Sequence, residues 1–305
     1  MSQAVRPAVR GYALVAIAAL GWGTWPLLLR WSERGGTLAA ASQSAIVMAV
    51  LTLASGVAMV KDRVRERASA REWAGVAWLG VSDAANILFF FAAYRTTNVA
   101  VAVLTHYLTP IFVALASPLF ARERPRPGVY AAVAIAFGGL VVLLRPWGAE
   151  LGARDLVGAA YGAASAVFYA SNVLTNKRLA RAFSGSELMF YHGWVSVPIL
   201  LVVAPRGEIG HASGATLGPL LLGALGPGAL GGLLFVWGLR KVPATHASIL
   251  TLLEPLSAVL VAAAALGEPL RATSGVGGAL ILAGAALVMR PARPDSVRAD
   301  RPSLS

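Results

Sequence analysis

Residues 244–271 read ATHASILTLLEPLSAVLVAAAALGEPLR, an apolar stretch of the length that a membrane-spanning helix needs. Its middle carries one carboxylate, Glu254, and the next residue is Pro255, which interrupts the hydrogen bonding of a helix. The stretch closes with Glu268 and an arginine three residues later. This combination predicts a transmembrane helix that is kinked near its centre and carries a charge there.

The same plan occurs 145 residues earlier, where residues 99–126 read VAVAVLTHYLTPIFVALASPLFARERPR. Pro110 occupies the position of Pro255, and Glu123 occupies the position of Glu268. Shared Ala or Leu would mean little in so apolar a chain, but shared Pro, Glu and Arg-Pro at one offset indicate an internal repeat. Further matches at this offset are Arg95 with Arg240, Leu108 with Leu253, Leu115 with Leu260, Gly139 with Gly284, and Arg145-Pro146 with Arg290-Pro291.

The composition indicates a protein that lies in lipid. Hydrophobic residues make up 57% of the chain and charged residues 13%, against about a quarter charged in soluble domains. The net charge of +12 would suggest nucleic acid in a soluble protein, but the basic residues form short clusters between apolar spans, without interleaved aromatics for base stacking. We therefore expect a lipid bilayer and no nucleic-acid partner. The absence of Cys excludes disulfides and Cys-ligated metals.

The predicted fold class is all-α, a multi-pass membrane protein with ten transmembrane helices. The first apolar segment is longer than the core of a signal peptide, so we expect it to be retained. The modules are residues 11–146 and 155–291, and a polar tail at 292–305 is predicted to be disordered and cytoplasmic. The predicted spans are residues 11–29, 38–60, 73–94, 99–121, 128–144, 156–175, 188–204, 217–239, 244–266 and 275–289.

The distribution of Lys and Arg predicts the orientation. With the amino terminus in the cytoplasm, 19 of the 26 Lys and Arg fall in predicted cytoplasmic segments and the other seven in outside segments. This asymmetry satisfies the positive-inside rule and places both termini in the cytoplasm. The heavy use of Ala, Gly and Arg suggests a GC-rich bacterial genome, so the expected location is the inner (cytoplasmic) membrane of a bacterial cell.

Each module has five spans, an odd number, so the second module enters the membrane from the opposite side to the first. The predicted architecture is therefore an inverted repeat. The matched loops agree with this inversion, since Arg122 and Arg124, predicted inside, correspond to Gly267 and Pro269, predicted outside.

Several of these features together resemble a known transporter family. They are the ten spans in two inverted halves, the pair Trp22-Gly23 in span one, and Leu-x-Pro followed by a helix-ending Glu in spans four and nine. This pattern resembles the EamA branch of the drug/metabolite transporter (DMT) superfamily over nearly the whole chain. The motifs HYLTP at 106–110 and TNK at 175–177 are similar to those of its aromatic amino-acid exporters, which carry Trp where this chain has Thr109 and Phe168.

The resemblance implies a central cavity lined by spans one, three, four, six, eight and nine and opened alternately to each side. In the sequence itself, Pro110 and Pro255 each remove a hydrogen bond and free the carbonyl four residues earlier, on His106 and Thr251. Unpaired backbone within a membrane is tolerated mainly beside protein or a wet cavity, so both prolines are predicted hinges near a binding site. Pro227, in the glycine-dense span eight, is a third predicted hinge.

Three ionisable residues lie well inside predicted spans: Asp83, His106 and Glu254. A charge at the bilayer centre costs roughly 2.5–3.5 kcal/mol on insertion scales, so each is expected to face the protein interior. One interpretation is that Asp83 or Glu254 contacts a cationic substrate group or carries a coupling proton, with His106 as a hydrogen-bonding neighbour. The other is that these groups only satisfy one another or a helix break.

Aromatic and amide side chains of the inner spans complete the expected substrate site, because such groups can hold a molecule with one polar and one apolar end. The predicted substrate-binding residues are Trp22, Trp25, Asp83, Asn86, His106, Tyr107, Tyr169, Asn172, Trp237 and Glu254. Tyr191, His192 and Trp194 of span seven are attributed to packing. No metal site or cofactor is predicted.

Glu123 and Glu268 end spans four and nine in matched places. A helix dipole disfavours an acid at the carboxyl end, so each is expected to pair with a nearby arginine or to cap the next helix. The nearby arginines are Arg122 and Arg124 for the first and Arg271 for the second. We interpret both glutamates as structural locks or gates.

The predicted function is a membrane transporter that exports small organic metabolites, amino acids or related compounds, by alternating access. The alternatives are a passive channel and a membrane-embedded hydrolase that uses a serine with His106. The phosphate-binding, zinc-protease and G-x-S-x-G motifs of common enzymes do not occur, so no enzyme activity is expected. Substrate identity, coupling ion and oligomeric state are left open by the sequence.

Overall fold

The computed structural model describes residues 5–64, 68–148 and 152–290, and the regular structure in these ranges is helical, without strands. The predicted disordered tail at 292–305 lies outside them. The helices, numbered in chain order, are α1 (Val5–Trp22), α2 (Trp25–Glu33), α3 (Ala40–Asp62), α4 (Ala70–Thr96), α5 (Val99–His106), α6 (Thr109–Phe120), α7 (Pro127–Leu144), α8 (Ala153–Leu179), α9 (Gly185–Val203), α10 (Gly214–Gly223), α11 (Gly231–Leu239), α12 (Ala244–Leu250), α13 (Leu253–Leu266) and α14 (Ala272–Met289).

Nine segments of the described ranges are long and apolar enough to cross a membrane, by length and composition. They correspond to every predicted span except the sixth, which is α8. With 27 residues α8 is about 40 Å long, enough for a span, but it carries Asn172 and Asn176 and has charged residues at both ends. Its polar side chains are accommodated because α8 packs against α4, α5 and α6.

The internal repeat extends over more of the chain than the sequence motifs showed. Helices α3 and α9 begin at Ala40 and Gly185, which are 145 residues apart. The same offset separates the starts of α5 and α12 and those of α7 and α14. Equivalent helices therefore begin at equivalent positions in the two halves of the chain.

The predicted kinks are breaks between separate helices, α5 from α6 and α12 from α13. The expectation that these kinks leave carbonyls unpaired is wrong. The carbonyl of His106 accepts from the Thr109 hydroxyl at 2.8 Å, and that of Thr251 accepts from the backbone amide of Glu254 at 3.0 Å. In each break the chain turns tightly enough that a donor three residues later replaces the one that proline removes.

Two further irregularities interrupt spans one and eight. The break in span one was not predicted, whereas Pro227 of span eight is a predicted hinge. Helices α1 and α2 are separated at Gly23, where an added Cβ would lie 2.5 Å from Ser257 Cβ, so the missing side chain lets this break approach α13 closely. Ser257 Oγ also donates to the carbonyl of Leu20 at 2.7 Å. The second irregularity is a π-helix at Ala224–Leu230, around Pro227, which joins α10 to α11.

The contact between α7 and α14 depends on small residues. A Cβ added to Gly139 would lie 2.7 Å from the carbonyl oxygen of Gly277, and one added to Gly284 would lie 2.8 Å from that of Ala132. Gly284 is the equivalent of Gly139, and Ala132 is the equivalent of Gly277, each 145 positions away. The two contacts are therefore the same contact with the roles of the two halves exchanged. The two halves therefore meet here through the same surface on each.

Candidate functional site

A cavity of about 670 Å³ lies among α1, α2, α3, α4, α5 and α13. It reaches the protein surface at one end of the bundle, where the exposed residues Arg30, Glu33 and Val99 line it. We call this end of the molecule the Arg30 end. The opposite end, where α6, α8 and α11 finish and α12 begins, is called the Lys177 end. A cavity of this volume accommodates a small organic metabolite.

Glu254 and Tyr107 line the cavity where the two helix breaks meet. Glu254 lies in the first turn of α13, where the positive end of the helix dipole favours a carboxylate. Tyr107, 4% exposed, follows the last residue of α5, and its hydroxyl lies beside the Glu254 carboxylate. The repeated proline breaks therefore bring together an acidic group and a phenol from different halves of the chain.

His106 is held in one orientation by its neighbours. Its ring stacks on Tyr169, with centroids 5.4 Å apart and an angle of 7° between the planes, and lies 4.4 Å from the ring of Phe90. Its Nδ1 is 2.8 Å from Ser165 Oγ, which also lies 2.8 Å from Asn86 Oδ1 and 3.0 Å from the Asn86 carbonyl. Since those oxygens only accept, Ser165 donates to Asn86 and His106 Nδ1 donates to Ser165.

Trp22 and Trp25, which line the larger cavity, pack against glycines of span eight. A Cβ added to Gly223 would lie 2.5 Å from the Trp25 ring, and one added to Gly231 would lie 2.8 Å from Trp22 Nε1. Trp22 also packs on Phe235, with ring centroids 5.3 Å apart. The glycine-dense stretch thus provides the space that the two large rings occupy.

A second cavity of about 180 Å³ lies between α3, α4, α8, α9 and α11. Asp83, Tyr169 and Asn172 line it, whereas Trp22 and Met48 line both cavities. The predicted substrate residues are therefore divided. The larger cavity has Trp22, Trp25, Asn86, His106, Tyr107 and Glu254, and the smaller has Trp22, Asp83, Tyr169 and Asn172.

Asp83 lies against a histidine that the sequence analysis attributed to packing. His192 Nε2 is 3.7 Å from Asp83 Oδ2, and the His192 side chain is 2% exposed. Asn172 Nδ2 donates to Asp83 Oδ1 at 3.2 Å. No motif in the sequence connects Asp83 with His192, since the contact arises only from the packing of α4 against α9.

Trp237 lines neither cavity. Its indole nitrogen is 3.2 Å from both Asp62 Oδ2 and Ser186 Oγ, near the ends of α3 and α9 at the Lys177 end. Of the predicted hinge residues, Pro255 lines the larger cavity and Pro110 is buried at the start of α6. Trp237 was expected in the site because it shares span eight with residues that do line it, but it lies near the end of that span.

The Lys177 end is closed by a network between the two halves of the chain. Lys177 Nζ donates to the carbonyls of Leu239 at 2.9 Å and Val242 at 2.6 Å and lies 3.4 Å from Glu123 Oε1. The other carboxylate oxygen of Glu123 accepts from the backbone amide of Ala244 at 2.7 Å. Glu123 thus binds the first turn of α12, where the free amides and the helix dipole favour an anion.

The partners expected for the two matched glutamates are wrong. Glu123 binds Lys177 and the start of α12 rather than the arginines beside it in sequence. Glu268 binds Arg30, with Nη1 and Oε1 2.9 Å apart, rather than Arg271. Both side chains turn toward groups that tertiary packing places beside them, and each of these contacts joins the two halves of the chain.

Comparison with known proteins gives the family. The sequence model of the EamA-like transporter family matches residues 9–145 and again residues 156–290. An uncharacterized transporter of Archaeoglobus fulgidus is 32% identical over 213 residues, covering 70% of this chain and 75% of the relative. A probable terminal-alkyne amino-acid exporter of Streptantibioticus cattleyicolor is 29% identical over 186 residues, covering 60% of this chain and 61% of the relative.

Two further comparisons agree. An uncharacterized transporter of Clostridium kluyveri is 24% identical over 218 residues, which is 68% of each chain. A protein known from its crystal structure superposes with a TM-score of 0.77 at 22% identity, covering 91% of this chain and 97% of the other. This last similarity concerns the fold.

Proposed function

The chain belongs to the EamA-like transporter family, and we propose that it is a carrier that exports small amine-bearing metabolites, amino acids or close relatives, by alternating access. The proposal goes beyond the family in substrate class, direction and mechanism. It depends on the larger cavity, its acidic group and the difference between the two ends of the molecule.

The observation that carries the proposal is the Glu254 carboxylate inside a cavity with largely aromatic and aliphatic walls. A carboxylate in such surroundings binds an ammonium group better than any neutral group, since the ion pair is weakly screened there. Trp22, Trp25 and Phe90 supply flat apolar surfaces for the rest of the substrate. The cavity therefore favours a molecule with an amine at one end and an apolar body. The name of the Streptantibioticus relative supports amino acids as that class.

We infer that the repeat is inverted, and an inverted repeat favours alternating access. The reciprocal contact of Gly139 with Gly277 and of Gly284 with Ala132 is what a twofold axis between two equivalent modules produces. We infer modules at residues 11–146 and 155–291, with ten spans that include α8. Inverted modules around one site can exchange their conformations, which opens the site to each side in turn.

In each state of such a cycle, one end of the carrier is closed and the other is open. The contacts at the two ends of this molecule differ in a way that fits one such state. At the Lys177 end Glu123 holds the start of α12 at Ala244. The equivalent residues at the Arg30 end are Glu268 and Val99, and there Glu268 binds Arg30 while Val99 is 56% exposed at the cavity mouth. We infer that in the opposite state Glu268 binds the start of α5 and Glu123 releases α12.

The hydrolase alternative finds little support in the site. Ser165 is fully buried and lines neither of the two cavities described. Its hydroxyl proton is directed to Asn86, and His106 donates to it rather than accepting from it. A nucleophilic serine needs the reverse arrangement and access to a substrate.

Counterflow in reconstituted liposomes tests the proposal. Liposomes that contain the purified protein are loaded with an unlabelled amino acid, and uptake of a trace of the labelled compound is followed. The panel pairs each aromatic or aliphatic amino acid with its N-acetyl derivative, which lacks the ammonium charge. A carrier of the proposed type gives saturable counterflow with the free amines and little with the acetylated partners. Uptake that rises linearly without counterflow would identify a channel and overturn the proposal.

A further inference from the structure

One oxygen of the Asp83 carboxylate has no hydrogen-bond donor. Oδ1 accepts from Asn172, whereas Oδ2 is inaccessible to solvent and lacks a partner among the residues that the structure describes. The Asn172 amide is fixed by Ser82, whose hydroxyl donates to Asn172 Oδ1 at 2.5 Å. Leaving a buried polar atom unpaired costs about 1–3 kcal/mol and more when it is charged, so Oδ2 requires a proton or a cation.

The orientation of His192 shows how Asp83 Oδ2 can obtain a proton or a cationic partner. Its Nδ1 lies 2.7 Å from the carbonyl oxygen of Leu188, and since a carbonyl only accepts, Nδ1 carries a proton. A neutral imidazole therefore presents the lone pair of Nε2 to Asp83 Oδ2, 3.7 Å away. Two facing acceptors repel each other. One added proton removes the conflict, on Nε2 as an ion pair or on Oδ2 as a neutral acid.

The other described side chains that line the smaller cavity carry no charge that could neutralise Asp83 or His192. Tyr169 of α8 is the other titratable group that lines the smaller cavity in the described part of the chain, and it is neutral near pH 7. From α8 the amides of Asn172 and Asn176 also face the cavity. The elements α3, α11 and the π-helix contribute Met48, Leu51, Gly228, Gly232, Phe235 and Val236. The described lining of the smaller cavity thus offers Asp83 no charged partner other than His192.

The repeat indicates that the packing of α4 against α9 does not require the pair Asp83 and His192. The residues equivalent to Asp83 and His192 in the other half of the chain are Gly228 and Val47. These also approach each other, since a Cβ added to Gly228 would lie 3.3 Å from Val47 Cγ1. The same helix contact is thus made once by Gly and Val and once by an acid and a base, and the charged version needs another explanation.

The position of the pair connects it to the larger cavity. Trp22 and Met48 form walls of both cavities. A substrate that displaces Trp22 therefore changes the walls around Asp83, and a change in the charge of the pair changes the wall that the substrate contacts. This shared wall provides a physical route for coupling without direct contact between substrate and Asp83.

We propose that Asp83 and His192 form a proton-binding site, and that one proton bound there enters the cell for each substrate molecule exported. The proposal rests on the proposed carrier function. The proton comes from water, forms an O–H bond at Asp83 or an N–H bond at His192, and returns to water on the opposite side. The ligand of this site is thus the proton, and the transport process is antiport.

Proton movement can be measured directly in liposomes that contain the protein and a trapped pH-sensitive dye. Adding substrate to one side without any initial pH gradient should move protons to that side, and valinomycin with equal potassium on both sides prevents a membrane potential from limiting the flux. The same preparation is assayed for counterflow. Counterflow without substrate-dependent proton flux overturns the proton site and leaves the carrier proposal intact, whereas absence of counterflow overturns the carrier itself.

The residues are assigned with two variants and two matched controls. Asp83→Asn and His192→Gln should each reduce the substrate-dependent proton flux at least tenfold. Asp62→Asn and His211→Gln change the same residue types at positions that line neither cavity and should retain the flux within twofold. Proton flux that persists in either site variant, or that requires sodium in the wild type, overturns the assignment. Because the wild-type measurement alone decides whether protons move, a variant that fails to fold does not remove the test.

Discussion

Lys177 and Glu123 lie 3.4 Å apart and join the second half of the chain to the first at the closed end of the molecule. Their side chains are 17% and 22% exposed, so water screens the pair only in part. The same glutamate binds the amide of Ala244, and the same lysine binds the carbonyls of Leu239 and Val242. This network is one of the polar connections between the halves at that end, beside those of Tyr12 with His246 and of Asp62 with Ser186.

Glu123→Gln should favour opening of the Lys177 end, because it removes the charge that attracts Lys177 and retains an oxygen for Ala244. The loss of about 1 kcal/mol corresponds to an approximately fivefold shift between open and closed populations. The chain has no native Cys, so spin labels on Arg124→Cys and Arg181→Cys report the opening as a longer distance. Glu268→Gln, at the opposite end, is the control and should not lengthen this distance. An unchanged distance distribution in Glu123→Gln would contradict the role of the pair.

Glu254→Gln should reduce counterflow of amine-bearing substrates about thirtyfold, since a contact with a charged group is worth ~2 kcal/mol. The substitution preserves size and the ability to accept from Tyr107. Glu33→Gln is the matched control, because Glu33 lines the same cavity at its exposed mouth and should change counterflow less than twofold. Equal effects of the two substitutions would show that the carboxylate acts only through the general charge of the cavity.

Trp22→Ala should raise the half-saturation concentration of substrate about fivefold, since the ring forms a wall of the larger cavity and aromatic contacts of this kind contribute ~1 kcal/mol. Saturation curves of counterflow provide the measurement. Trp194→Ala removes a ring that is 63% exposed on the outer surface and should leave the half-saturation concentration unchanged. A Trp22→Ala variant with wild-type saturation would remove Trp22 from the substrate site.

Gly139→Ala should lower the melting temperature of the purified protein, because its Cβ would lie 2.7 Å from the carbonyl oxygen of Gly277. Overpacking of this kind costs about 1–3 kcal/mol. Within the described ranges, the Cβ position of the neighbouring Gly138 has no atom within 4 Å outside its own helix turn. Gly138→Ala should therefore leave stability unchanged or raise it by up to ~1 kcal/mol through the better helix propensity of Ala. Equal melting temperatures would show that α7 and α14 can separate without cost.

Arg206→Cys should react with a membrane-impermeant maleimide added to intact cells, and Arg181→Cys should not. The two positions are exposed and lie beyond opposite ends of α9. Their reactivity tests the orientation predicted from the distribution of Lys and Arg. After the membrane is permeabilised, both should be labelled, which confirms that each cysteine is accessible. The reverse pattern would place the termini outside.

The sequence predicted the structure best at residues that have the same local effect in any surroundings. Pro110 and Pro255 identified both helix breaks, because proline cannot donate the backbone hydrogen bond wherever it occurs in a helix. Gly23 carried a weaker signal and its break was not predicted, whereas Pro227 was a predicted hinge and lies in a π-helix. Both depend on what packs nearby, as Ser257 does against Gly23.

The candidate site could be predicted only in part. Glu254, Tyr107 and Trp22 share one cavity as expected of inner spans, but Asp83 lies in another and Trp237 in neither. Helical periodicity shows which face of a span a residue occupies, yet it does not show how far the helices slide and tilt against one another. That displacement decides which cavity each side chain reaches.

By itself the sequence determined that the chain lies in lipid, repeats at an offset of 145 residues, and breaks two equivalent helices, one of them directly after Glu254. These properties follow from composition and from single residues, whose preferences are local. Only the tertiary structure decided that His192 faces Asp83, that Glu123 binds Lys177 and that Glu268 binds Arg30. Such pairs join residues distant in sequence, and a charged side chain takes whichever partner the packed helices bring within a few ångströms.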